Sequence, residues 1–181
     1  MKRIIELSYR VSILVMTMLV AVGVTACASV KKEPVDIKAP EIRLTDVLSS
    51  KKNEFPVKSG NYSLNVPDGK ETHGVVACGM SPLDEKQKKM DVLDIPDYNG
   101  TEEFLYQFSC DTEPSKLTVH EWDASLLGET EAEAEATMSY EDAFILQLKH
   151  GKVYEIVAEW NEEKAETNGF YGEASYVVVT E

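Results

Sequence analysis

The chain has 181 residues, room for one domain once its ends are set aside. Its 32 acidic residues outweigh 18 basic ones, for a formal charge of −14. That balance excludes nucleic acid held by phosphate attraction and a body lying flat on anionic lipid; it suits a soluble surface.

The first ten residues carry Lys2, Arg3 and Arg10 against Glu6. An uncharged run, "VSILVMTMLVAVGVTACASV", follows from Val11 to Val30. A basic start, an apolar middle and small residues before a boundary describe an export signal. The run is also about long enough to span a bilayer as an uncleaved helix. Its last part, "GVTACAS", is small and weakly apolar, which favours processing.

Val24, Thr25, Ala26 and Cys27 resemble the lipobox of bacterial lipoproteins at all four positions. The resemblance implies diacylglycerol on the Cys27 sulfur, cleavage before Cys27 and residence at the extracytoplasmic face of the cell membrane. Two or more acyl chains hold a protein stably where one does not. Losing residues 1–26 as a signal peptide leaves 15 basic and 31 acidic residues, a formal charge of −16. Residues 27–40, with Pro34 and Pro40 and little apolar pattern, read as the lipidated cysteine and a flexible tether.

From Glu41 to Glu181 short apolar segments alternate with turn residues. "EIRLTDVL" alternates imperfectly through Ile42, Leu44 and Val47; "GNYSLNV" alternates cleanly and "PDG" closes it. "HGVVAC" and "MDVLDI" are short runs, and "PDYNG" is a turn signal. "EFLYQFSC" puts Phe104, Tyr106, Phe108 and Cys110 on one strand face. "SKLTVHEW", "AFILQLK", "KVYEIVAEW" and "YGEASYVVVT" complete eight or nine strand candidates. "SPLDEKQKKM" suits one helical turn with Ser81 as cap and Pro82 in first position. "GETEAEAEATMSY" reads as an acidic loop or edge strand. Many short strands at close spacing predict an all-β protein, an antiparallel sandwich or barrel.

"LKHGKVYEIVAEW" narrows the choice to an immunoglobulin-like antiparallel β-sandwich. Tyr154 follows a Gly turn and precedes Ile156, Ala158 and Trp160 at period two. That is the place of the tyrosine that bonds back to the corner before the penultimate strand of such sandwiches. The region from Gly60 to Glu181 also resembles small Firmicutes lipoproteins and sensor extensions. The matches are Gly60, Tyr62 and Ser63; Pro82 and Leu83; Pro114, Leu117 and Val119; and Tyr154, Ile156, Ala158 and Trp160. Leu64 departs from that group's usual tryptophan and Leu117 from its usual valine. The resemblance implies architecture and address and carries no activity.

Two thiols remain beyond Cys27. Cys78 and Cys110 invite a disulfide outside the cytoplasm, while the aromatic face that Cys110 shares suits a buried reduced thiol equally well. His73, Cys78, Cys110 and His120 lack the close pairs of a structural zinc site, so no metal and no cofactor is expected. "DIPDYNGTEE" lacks alternating oxygen ligands before Gly100, because Ile95 falls in the series. There is no G-x-S-x-G, S-x-x-K, H-E-x-x-H or phosphate-binding glycine loop. Trp122, Phe170 and Tyr171 lie near strand ends, where they would form a recognition patch if exposed or pack under a loop if not. The expectation is a non-catalytic binding module at the cell surface, held by its lipid and serving a protein or cell-envelope ligand. The rivals are a cell-envelope hydrolase using paired carboxylates and an accessory subunit of a membrane sensor or transporter.

Overall fold

Alternating apolar residues dictate strands, and a computed structural model of the chain, describing residues 37–49, 53–95 and 103–181, places them in two sheets. The smaller sheet joins β1 (Ile42–Asp46), β2 (Glu54–Val57), β6 (Phe104–Cys110) and β9 (Ile145–Leu148) in the order β2-β1-β6-β9. The larger contains β3 (Ser59–Asp68), β4 (Glu71–Ala77), β7 (Lys116–Asp123), β8 (Ala136–Tyr140), β10 (Lys152–Trp160) and β11 (Tyr171–Thr180). Its order is β4-β3-β11-β10-β7-β8, and the short β5 (Val92–Leu93) runs parallel to the end of β11.

β6 lies between β1 and β9, and β10 lies between β7 and β11. That is the pairing of an immunoglobulin-like sandwich. Two additions depart from it. β2 extends the smaller sheet beyond β1, and the β3–β4 hairpin covers the outer side of the last strand.

The two sheets enclose one core. Ile42, Leu44, Phe108, Leu146 and Leu148 from the smaller sheet meet Leu64, Leu117, Ile156, Trp160 and Tyr176 from the larger. A second cluster lies on the opposite face of the larger sheet. Trp122, Val153, Val177 and Val179 are buried there with Leu83 and Leu127 from the loops that cross over them. β11 is therefore covered on both faces along its second half, which explains why "YVVVT" shows no alternation.

Tyr154 is fully buried, and its Oη accepts a hydrogen bond from the Lys149 backbone N–H at 2.9 Å. Burial raises its pKa, so it stays a neutral phenol. The bond fixes the corner between β9 and β10 as the sequence predicts. Tyr154→Phe leaves that N–H without its acceptor and is expected to cost about 1–3 kcal/mol, read as a lower urea midpoint at unchanged slope.

Several local expectations change. The single helical turn is a 3-10 helix at Glu85–Lys89 capped by Asp84, whose Oδ1 accepts from Lys86 N at 2.9 Å. Ser81 instead opens the preceding turn, its carbonyl accepting from Asp84 N at 3.0 Å. The acidic stretch is both things at once: a loop to Glu135, then the edge strand β8. β1 stops at Asp46, because the Asp46 carboxylate accepts from Leu48 N at 2.8 Å and turns the chain. Val47 and Leu48 consequently face solvent. β2 contains Pro56, which an edge strand tolerates.

Candidate functional site

Cys27, the signal peptide of residues 1–26 and residues 28–36 of the tether lie outside the described residues, as do Asp97, Asn99 and Gly100 of the "PDYNG" turn. Among the described residues no helix is long and apolar enough to cross a membrane. Cys78 and Cys110 are both free thiols. Cys78 is exposed just after β4 at the rim of the larger sheet, whereas Cys110 is half-buried at the end of β6 in the smaller sheet. The invited disulfide is not formed. Burial pushes the Cys110 thiol pKa up, as expected for a reduced thiol against the core.

Trp122, Phe170 and Tyr171 do not assemble an exposed patch. Trp122 packs under the loop after β7, and its Nε1 donates to the Ala132 carbonyl at 3.0 Å. Phe170 is buried edge-on against Trp160, with ring centroids 5.3 Å apart. Tyr171 alone is half-exposed. The packing reading is the one the geometry supports: Trp122 lies under a loop and Phe170 belongs to the main core. The histidines are also apart in their contacts: His73 Nε2 is 3.4 Å from Asp68 Oδ2, and His120 Nδ1 is 3.0 Å from Thr137 Oγ1. Among the described residues no three His, Cys, Asp or Glu side chains are grouped to hold a metal ion.

A different site emerges on the outer face of the larger sheet. Side chains alternate along a strand, so Tyr154, Ile156 and Ala158 fill the core while Glu155 and Val157 face outward. On β11 the outward set includes Glu173 and Ser175; on β3 it includes Ser63, and on β4 Val76. Together with Cys78 these line a cleft of about 320 Å³. The β3–β4 hairpin forms one wall. Next to it, and sharing Cys78, lies a cavity of about 680 Å³ bounded by Lys58, Met80, Met90, Asp91 and Val177. The backbone is drawn close here: a Cβ on Gly79 would come within 2.6 Å of the Gly60 backbone. The Gly79 N–H donates to the Asn61 side chain.

The chemistry of this cleft is mixed. Val76 on its wall is 69% exposed, among the most exposed large apolar side chains in the described residues, and Met90 of the neighbouring cavity is 55% exposed. The floor is polar. Ser175 is only 7% exposed, yet its Oγ has no hydrogen-bond partner. It lies beside Glu155 closely enough to temper that carboxyl's pKa without forming a bond of proper geometry. Burial raises the Glu155 pKa above the ordinary carboxyl range; His120 and Ser175 oppose the rise and Glu173 adds to it. A buried hydroxyl without a partner is uncommon and marks a place where a ligand atom would gain a bond.

Two other clefts are less suited to binding chemistry. One of about 420 Å³ is lined by Gln107, Cys110, Glu113, Asp142 and Ile145. Its Gln107 amide already donates to the Phe108 and Phe144 carbonyls at 3.0 and 3.2 Å. A second, of about 350 Å³ beside Trp160 and Tyr171, holds Glu159, Glu162 and Glu173 on its rim.

The fold and this groove define an all-β sandwich that carries an amphipathic cleft on one outer sheet face. No family model, no curated protein and no solved structure matches the chain.

Proposed function

We propose that this protein is an extracytoplasmic lipoprotein, anchored through Cys27, that uses the outer face of its larger sheet as a non-catalytic binding surface. The cleft at Glu155 and Ser175 carries the binding half of the reading: a nearly buried hydroxyl without a partner beside solvent-exposed Val76. The "VTAC" sequence at residues 24–27 carries the anchor half.

Cys27→Ala is expected to abolish palmitate incorporation and to leave residues 1–26 attached, seen as the larger mass of the unprocessed chain. Palmitate label on the variant would overturn the anchor. For the binding half, the lipidated protein is expected to retain a partner or cell-envelope ligand on pull-down from native membranes, and Val76→Glu is expected to lose it.

A second reading has one observation in its favour. Glu155 and Glu173 line the same cleft, and Glu155 has the raised pKa that a general acid needs. The cleft is shallow and open, which suits recognition better than water exclusion. Turnover of a wall polymer by the wild-type chain, lost in Glu155→Gln, would put the hydrolase reading first.

A further inference from the structure

We propose that the outer-face cleft binds an alkylammonium group, its charge met by Glu155 and Glu173, one N–H accepted by Ser175 Oγ, and its stem laid along Val76 and Val157. The inference rests on the binding reading above and names the class of ligand for that same cleft.

The lining chooses the ligand by elimination. Its ionised groups are two carboxylates with no lysine or arginine among the lining residues, so an anion would meet only repulsion. The Asn61 side-chain oxygen is taken by the Gly79 N–H, and the carboxylates of Glu155 and Glu173 and the Ser63 and Ser175 hydroxyls supply oxygen acceptors. A bare metal ion would need three or more grouped ligands, and none are grouped among the described residues. A purely apolar ligand would leave the Ser175 hydroxyl without a partner. An ammonium has three donors and no acceptor, which fits two carboxylates and a hydroxyl. Val76 and Val157 supply an apolar flank for methylene groups, the way lysine stems lie on apolar surface. The cleft volume of about 320 Å³ suits a headgroup with a short stem. The chain's overall charge of −14 would raise the local concentration of any cation.

Proton linkage follows. The groups facing Glu155 are His120 from β7 and Ser175 and Glu173 from β11. A bound cation favours the ionised carboxylate, so binding displaces a proton from Glu155 at pH values below its raised pKa and tightens as pH rises through that range.

The test titrates the full chain in a non-ionic detergent, following backbone amide shifts with n-pentylammonium, 1-pentanol and pentanoate as probes. Pentylammonium is expected to move the amides of Val76, Glu155, Val157 and Ser175, and the other two probes to leave them still. Glu155→Gln is expected to weaken binding by about tenfold or more and Ser175→Ala by about threefold, each with unperturbed shifts elsewhere to show that the fold is kept. Equal shifts with 1-pentanol, or undiminished affinity in Glu155→Gln, would overturn the ammonium assignment while leaving the binding surface in place. Failure of the surface itself is read separately, as membrane pull-down insensitive to Val76→Glu. Nα-acetyl-lysine methylamide distinguishes the source: tighter binding than pentylammonium assigns a lysine side chain of a peptide, weaker binding a free amine.

Discussion

Replacing Gly172 with alanine is expected to cost at least about 3 kcal/mol, seen as a large fall in urea midpoint at constant slope. Two penalties add at this position. The backbone has φ 131°, a region that side-chain-bearing residues rarely adopt. A Cβ would also collide with the Ser63 carbonyl oxygen and press within 3.1 Å of Leu64 Cα, because β11 passes very close to β3 there. Neither strand can retreat, since β11 is held on its other side by β10. Gly69 supplies the control. It has φ 65° in the β3–β4 turn, and a methyl group added there would meet nothing within 4 Å. Its alanine variant therefore carries conformational strain alone and should cost only about 1 kcal/mol. Equal losses at the two sites would show that the collision with Ser63 contributes nothing.

Trp160→Ala is expected to cost about 3–5 kcal/mol, the range for removing a large aromatic from a packed core. Trp160 is 1% exposed and packs edge-on against Phe170, with the ring planes inclined at 64°. Its Nε1 donates to the Thr112 carbonyl at 2.9 Å and so pins the connection between β6 and β7. Trp160→Phe keeps most of the apolar area and loses that bond. It should cost clearly less than the alanine variant, about 1–3 kcal/mol. If the two variants lost the same amount, the hydrogen bond would outweigh the packing, contrary to this account.

Much of the architecture is legible in the sequence because strand period and corner chemistry are local. Leu64, Phe108, Leu117 and Ile156 announce core faces by alternation, and Tyr154 announces its corner by following a Gly turn. β2 escapes such a reading: four residues containing a proline, outermost in their sheet, leave little periodic signal. Trp122 and Phe170 show the limit on burial. Each stands at a position that alternation leaves open: Trp122 is covered by a loop whose course no local pattern fixes, and Phe170 is drawn into the core against Trp160. The candidate cleft is illegible for a related reason. Glu155, Ser175, Ser63 and Val76 come from four strands, and each reads singly as an ordinary outward position. The signal present is indirect. Val153 and Val157 on the outward set of β10, with Val177 and Val179 on β11, give that face more apolar residues than solvent would call for.

The placement of β11 has a consequence for how the molecule is made. Among the described strands this one comes last in chain order, yet β3, β5 and β10 all pair with it. Asn65 near the start of the domain waits for Tyr171 close to its end. Pairings so far apart in the chain slow the search for the native state. The early hairpin must therefore stand with an unsatisfied edge until β11 has been made, and a product that ends short of Tyr171 would hold two halves of a sheet with nothing between them.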